Sequence, residues 1–333
     1  MRKASPDLLL VLVAIVWGGS YLSAKQLVAE IGVEPTLALR YGIGALGMLG
    51  FALIRRTGRA NMRLILSGVV LGCSQASILW LETTGVGRTS ATNAGILISL
   101  SLILTPLLEA ALLKRRLPLP FYLAASGAVL GIALLASGSG GLRVPTGGDL
   151  LVLGAAVVRA AHVTATARAL RKDDSVVTLV TVQMLVGAVL FTALAAPSAA
   201  SWVPRLTLAG IANAVFLGLG CSVFAFLVQA WAVRKTSAAR AALLMGTEPL
   251  WAALIGIVIG AEALGLVQLL GAILIVAGSL AGSSIERRSR QQRIEPLSES
   301  PSATAIASDT SGNTFSSQAK RNTEVAADQS ARP

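Results

Sequence analysis

Charge is scarce in this sequence. Of its 333 residues, 13% are charged, about half the ~25% carried by a soluble domain. A water-facing surface cannot be covered with so few, which excludes an ordinary soluble enzyme of this length. Histidine occurs once and cysteine twice. Both cysteines, Cys73 and Cys221, lie in apolar runs, so neither a disulfide framework nor a Cys/His metal centre is expected. Phosphate-loop spacing is missing as well, and Gly18-Gly19 is not read as one. Without a nucleotide-binding domain, direct drive by ATP is not expected.

Hydrophobic residues make up 54% of the chain, and the mean hydropathy is +0.72. With water excluded as the surrounding medium, lipid remains. Ten apolar runs lie between charged or Gly/Pro breaks, at about 8–28, 35–54, 62–81, 90–113, 119–138, 149–169, 176–196, 206–232, 238–260 and 264–282. Each is long enough to cross a ~30 Å hydrocarbon core as a helix, and helices satisfy their own backbone groups there. Met1-Arg2-Lys3 ahead of the first run has the outline of a signal peptide. The run continues past Trp17 to Val28, so it reads as a retained helix. The segment 285–333 is rich in Ser, Thr, Asn, Gln and Ala, with six acids against seven bases. It is expected to be a disordered cytoplasmic tail, whose arginines at 287–293 suit anionic lipid headgroups.

The net charge of +12 could suggest nucleic acid, but its placement gives a better explanation. With the N-terminus inside, nineteen of the 28 Lys and Arg residues fall on cytoplasmic loops or just after the last span, and three (Arg88, Arg143, Arg205) fall outside. That is the positive-inside pattern. It puts both termini in the cytoplasm and leaves no nucleic-acid surface to explain.

Two stretches repeat at offsets of about 142–147 residues. Gly127-Ala-Val-Leu-Gly-Ile-Ala-Leu-Leu-Ala-Ser-Gly138 parallels Gly271-Ala-Ile-Leu-Ile-Val-Ala-Gly-Ser-Leu-Ala-Gly282. Thr89-Ser-Ala-Thr-Asn-Ala94, leading to Pro106, parallels Thr236-Ser-Ala-Ala-Arg-Ala241, leading to Pro249. The unit holds five spans, an odd number, so the second half must enter the membrane inverted. The fold expected is therefore all-α integral membrane, ten helices in two inverted five-helix repeats (1–140 and 149–284). Inverted repeats are common in secondary transporters, with the binding site between the halves.

Several motifs carry a resemblance. They are Trp17-Gly18-Gly19-Ser20-Tyr21, Lys25, Pro35 and Leu39-Arg40-Tyr41, then Asn93-Ala94-Gly95, Pro106-Leu107-Leu108 and Lys114-Arg115-Arg116. In the second half stand Arg240-Ala241-Ala242-Leu243, Glu248-Pro249-Leu250-Trp251 and Glu262-Ala263-Leu264. Over 8–282 the chain resembles the paired EamA-type repeats of the drug/metabolite transporter superfamily. The resemblance implies a ten-helix inner-membrane carrier that exports metabolites, amino acids or drugs. Two positions depart from it. Arg115 stands where the family often has an acid, and Arg159 where helix six commonly opens with an aromatic.

A charge at membrane depth costs at least ~2.5–3.5 kcal/mol, so each needs a reason. Arg159 and His162 share a face of helix six. Glu248 is placed near the middle of helix nine, with Pro249 bending the helix beside it. Two arrangements fit. Arg159, His162 and Glu248 line a central cavity, Arg159 attracting an anionic group and Glu248 or His162 carrying a proton. Alternatively Arg159 and Glu248 form a structural pair, and His162 caps a carbonyl. Trp17, Tyr21 and Trp251 suit an aromatic wall, while Gln75 and Asn93 are further cavity candidates. Arg40 reads as an interfacial arginine paired with Glu34 or snorkelling.

The function expected is a secondary transporter, an exporter of small metabolites such as amino acids, working by alternating access with possible proton coupling. A central arginine favours zwitterionic or anionic solutes over cationic drugs. The rival classes are a lipid-processing membrane enzyme and a receptor or scaffold. The one adjacent acidic pair, Asp173-Asp174, reads as a solvated turn, and no cofactor or metal is called for. The partners expected are a small-molecule substrate and membrane lipids, with a monomer or homodimer in a bacterial cytoplasmic membrane.

Overall fold

The computed structural model describes residues 6–55, 61–112, 114, 116–136, 145–171, 174–229 and 245–298. Among the described residues there are helices and no strand. The main helices are α1 Pro6–Ile31, α2 Val33–Arg55, α3 Met62–Val86, α4 Ala91–Ile98, α5 Ser101–Leu112, α6 Leu119–Ala136, α7 Gly147–Ala169, α8 Val176–Ala195, α9 Leu208–Val215, α10 Glu248–Val258 and α11 Leu266–Ser298, with short helical turns over 196–205 between α8 and α9. A π-helical stretch, Phe216–Phe224, continues α9. Seven helical segments are long and apolar enough to cross a membrane, and three shorter apolar helices accompany them at Leu119–Leu135, Glu248–Val258 and Leu266–Gly282. One compact unit spans Met1–Ile285 and a second spans Glu286–Pro333.

The exterior is apolar and the interior holds the charge. Leu46 is 72% exposed, Leu53 77%, Val189 72% and Leu208 83%. A soluble protein rarely shows such a surface, and lipid removes its cost. Arg40, Glu82, Glu248, Gln75 and Gln183 are buried.

Close crossings use glycine. A Cβ on Gly131 would lie 2.7 Å from the Gly271 carbonyl oxygen, and one on Gly278 would lie 2.6 Å from that of Ala124. Gly131, Gly271 and Gly278 belong to the repeated stretches in α6 and α11, so the two copies pack on each other. Gly32 joins α1 to α2 at φ +93°, in the left-handed region where other residues are strained.

Two further features recur at the repeat offset. The fourth apolar segment breaks at Ser99-Leu100, between α4 and α5. The chain turns likewise at Gly246-Thr247, just before α10. The turn after α5 holds Lys114 at φ 50°, and the turn after α10 holds Ala261 at φ 51°.

The structure departs from the sequence expectation in four places. The helix expected over 62–81 runs on to Val86, which carries Glu82 inside. The run 90–113 is two helices. Glu248 opens α10 instead of lying mid-helix, and Pro249 sits in its first turn. There its missing N–H costs nothing, so it starts a helix and does not kink one. Of the span expected over 238–260, residues 238–244 lie outside the described residues. Finally, α11 continues to Ser298, past the boundary at 285, because Glu, Arg and Gln after it are good helix formers. The rest of the expected tail, 299–333, lies outside the described residues.

Candidate functional site

Four helices bring charge together. Arg159, on α7, lies with Nη2 3.8 Å from Glu82 Oε2 of α3, and with Nη1 3.9 Å from Glu248 Oε1 of α10. Both distances are charge contacts longer than hydrogen bonds. The Tyr21 hydroxyl, from α1, donates to Glu248 Oε1 at 2.5 Å. Glu82 is 5% exposed, Glu248 8% and Tyr21 2%, whereas the Arg159 side chain keeps 26% exposure. A guanidinium held loosely between two carboxylates can exchange partners when a proton or a charged ligand arrives. Glu248 also opens a half-helix, where the N-terminal dipole favours an anion. Interrupted helices in corresponding positions of two halves mark the binding region in many carriers.

The other candidates are spread around this centre. Gln75 is buried on α3, two turns from Glu82 on the same face. Asn93 lies in the first turn of α4, and its Oδ1 is buried with no hydrogen-bond partner. Trp251 follows Glu248 on α10. A Cβ on Gly18 would lie 2.7 Å from Trp251 Cβ, so α1 and α10 touch there. Trp17 donates through Nε1 to the Cys221 carbonyl at 2.9 Å, in the π-helical stretch. His162 is not brought to Glu248. Its Nδ1 lies 2.7 Å from Ser74 Oγ.

Glu82 was absent from the sequence candidates because 82–89 read as a loop between two spans. The only signal in the sequence was weak: no proline falls between Leu81 and Gly87, so the helix could run on. Arg40 also differs from expectation. It is 6% exposed and, among the described residues, makes no ion pair with Glu34.

At one end of the helices, Glu262 follows Ala261 in the turn after α10. It accepts the backbone N–H groups of Ala91 and Thr92, at 2.8 and 2.9 Å, and pairs with Lys25 Nζ at 2.8 Å. Burial pushes its carboxyl up, but Lys25 and the two N–H groups outweigh burial and hold it below the usual carboxylate range. Glu30 accepts the N–H of Thr207, ahead of α9. At the other end, Asp174 pairs with Arg63 and accepts the Arg171 N–H. The Arg171 N–H first, then the Arg63 guanidinium, holds the Asp174 carboxyl below the ordinary carboxylate range. Asp174 is thus committed to a latch, and Asp173 lies outside the described residues. Among the described residues no group of His, Cys, Asp and Glu could hold a metal ion. A groove of about 550 Å³ lies between α5 and α7, lined by Leu108, Leu112, Ala161, Thr164, Ala165 and Arg168.

Known proteins share this architecture. The profile of the EamA-like transporter family matches the chain twice, over residues 4–137 and 146–282. The uncharacterized transporter YwfM of Bacillus subtilis (strain 168) is 29% identical over 288 residues, covering 85% of this chain and 95% of that protein. The uncharacterized transporter YyaM of the same organism is 25% identical over 301 residues, covering 86% and 96%. A protein crystal structure superposes with a TM-score of 0.58 at 19% identity, over 86% of this chain and 99% of that one. At that identity the likeness shows the fold alone. Two matches to one family, on a helical chain with a lipid-type exterior, settle membership: the chain belongs to the EamA-like transporter family and is a membrane transporter of the drug/metabolite type.

Proposed function

We propose that the protein exports small metabolites such as amino acids across a bacterial cytoplasmic membrane, exchanging them for protons by alternating access. In this reading ten helices cross the membrane as two inverted halves with both termini inside. The observation that carries it is Arg159 lying between Glu82 and Glu248, with the Tyr21 hydroxyl on Glu248. Glu248 is the exchanging group. As a carboxylate it attracts the ammonium of a solute. Once protonated it lets that ammonium go and weakens its hold on Arg159. Tyr21 fixes the carboxylate by donating to it, and Arg159 keeps a negative charge tolerable at this depth. His162 bonded to Ser74 is a less suitable coupling group, being turned to α3.

The rearrangement has parts to work with. The breaks at Ser99-Leu100 and Gly246-Thr247 are places where half-helices can reorient. The Lys25–Glu262 pair on the start of α4 closes the outer end, whereas the groove beside Arg168 lies toward the cytoplasmic end. Flux of a panel of amino acids in everted membrane vesicles, with and without an imposed pH gradient, tests this. Proton-driven uptake is expected in wild type and lost in Arg159→Ala and Glu248→Gln. Unchanged flux and pH dependence in both variants, at equal protein level, would leave the cluster as a structural pair only.

A further inference from the structure

Among the described residues, Arg40 makes no ion pair. It lies seven residues into α2, about 10 Å along the axis, and is 6% exposed. A snorkelling arginine would show its guanidinium at the surface. A structural arginine at this depth would be paired, because an uncompensated buried charge is strongly destabilising. Yet its Nε has no hydrogen-bond partner. The ion pairs among the described residues are Lys25–Glu262, Arg63–Asp174, Arg159–Glu82 and Arg159–Glu248, and Arg40 joins none of them.

Two other buried groups lack a hydrogen-bond partner: the Tyr41 hydroxyl and Glu82 Oε2, the latter facing Arg159 Nη2 at 3.8 Å without bonding it. Arg40 and Glu82 both act electrostatically on Tyr41 and on Cys221, and Arg40 also acts on Glu248. Tyr41 is held firmly. Its ring stacks on Phe191 at 5.5 Å, and a Cβ on Gly187 would lie 2.3 Å from it. The π-helical stretch Phe216–Phe224 packs against the same part of α2, where a Cβ on Gly218 would lie 3.2 Å from the Arg40 carbonyl oxygen. π-Helical turns inside α-helices are frequent at functional sites.

Orphan groups of this kind are expensive unless a ligand satisfies them. The set here is one guanidinium donor, one hydroxyl and one carboxylate oxygen. A ligand that serves all three has an anionic end and a cationic end. The charge balance agrees. Arg40 and Arg159 stand against Glu82 and Glu248, so a zwitterion enters without adding net charge. Arg159 is already placed against two carboxylates, which leaves Arg40 as the guanidinium free to bind.

We propose that Arg40, together with the Tyr41 hydroxyl, binds the carboxylate of the transported solute, while Arg159 serves Glu82 and Glu248. This rests on the transport reading above and assigns the anion-binding end of that same site. The selectivity of the carrier for carboxylate-bearing solutes then resides on α2.

Full-length protein in proteoliposomes tests this with matched probes: radiolabelled L-amino acids, the amines left when each loses its carboxylate, and simple carboxylates. Wild type is expected to favour an amino acid over its amine. In Arg40→Gln the KM for the amino acid should rise about tenfold to a hundredfold, the range for losing a hydrogen bond to a charged group. Flux of the amine should stay at the wild-type level, which also shows that the variant folds. Arg40→Lys should fall between them, since an ammonium keeps the charge without the planar fork. If Arg40→Gln does not reach the membrane, the Lys variant makes the same comparison. A wild-type KM for the amino acid in either variant would overturn the assignment, as would a wild type that carries only amines. In those cases inactive Arg159→Ala and Glu248→Gln proteins would leave the transport reading standing. A wild type that moves none of the probes would count against both.

Discussion

Replacing Glu262 by glutamine isolates one latch. The carboxylate accepts two backbone N–H groups at the start of α4 and faces the Lys25 ammonium. Glutamine keeps the shape but can offer only one accepting oxygen, so one N–H loses its partner. An unsatisfied buried donor costs about 1–3 kcal/mol, and loss of the favourable charge at a helix N-terminus adds about 0.3–1 kcal/mol. Lys25 is 36% exposed, so screening keeps its own share small. The expected loss is about 1.3–4 kcal/mol, read as a lower thermal midpoint of the purified protein in detergent. The pH dependence has a definite sign. The folded carboxyl is held below its ordinary value, so its stabilisation is complete above the ordinary carboxylate range and disappears as pH falls through the folded value. Wild type and Glu262→Gln should therefore differ fully near neutrality and converge in acid. A gap that stays constant into acid, or no gap at neutral pH, would refute the reasoning.

Other expectations can be checked together. Gly95→Val should destabilise by about 1–3 kcal/mol or more through overpacking, because a Cβ there would lie 2.2 Å from Ala252 Cβ. Adding Ala252→Gly should recover part of the thermal midpoint. Trp17→Phe removes the bond to the Cys221 carbonyl and should cost about 1 kcal/mol, seen by the same melting assay. His162→Phe should leave proton-driven flux in vesicles intact, since His162 bonds to Ser74 and not to the acidic centre. Arg63→Ala frees Asp174, whose carboxyl should titrate closer to its ordinary value, a change that NMR of labelled aspartate can follow.

Much of this architecture could be read from the sequence because lipid imposes simple rules. Apolar runs long enough to span a bilayer read as helices, and the helices found lie on those runs. The repeat was visible because Gly127–Gly138 and Gly271–Gly282 must both approach closely, and they pack on each other through Gly131, Gly271 and Gly278. Arg159 and Glu248 stood out as charges inside apolar runs. Helix ends were less legible. A single acid after an apolar run looks like the start of a loop, so Glu82 went unseen until α3 continued to Val86. Pro249 looked like a mid-helix kink because a break at Gly246-Thr247 leaves no strong mark in composition. Partners across the bundle were hidden altogether. Pairing Lys25 with Glu262, or leaving Arg40 unpaired, depends on contacts between residues far apart in the chain.

The central claim is that Glu248 exchanges a proton for the solute. Proton release on binding tests it most directly, measured with a pH indicator in weakly buffered, purified full-length protein as an amino acid from the transported set is added. Wild type should release protons as it binds, in an amount that falls with rising pH, and Glu248→Gln should release none. Solute binding without proton release in wild type, or equal release from Glu248→Gln, would contradict the account.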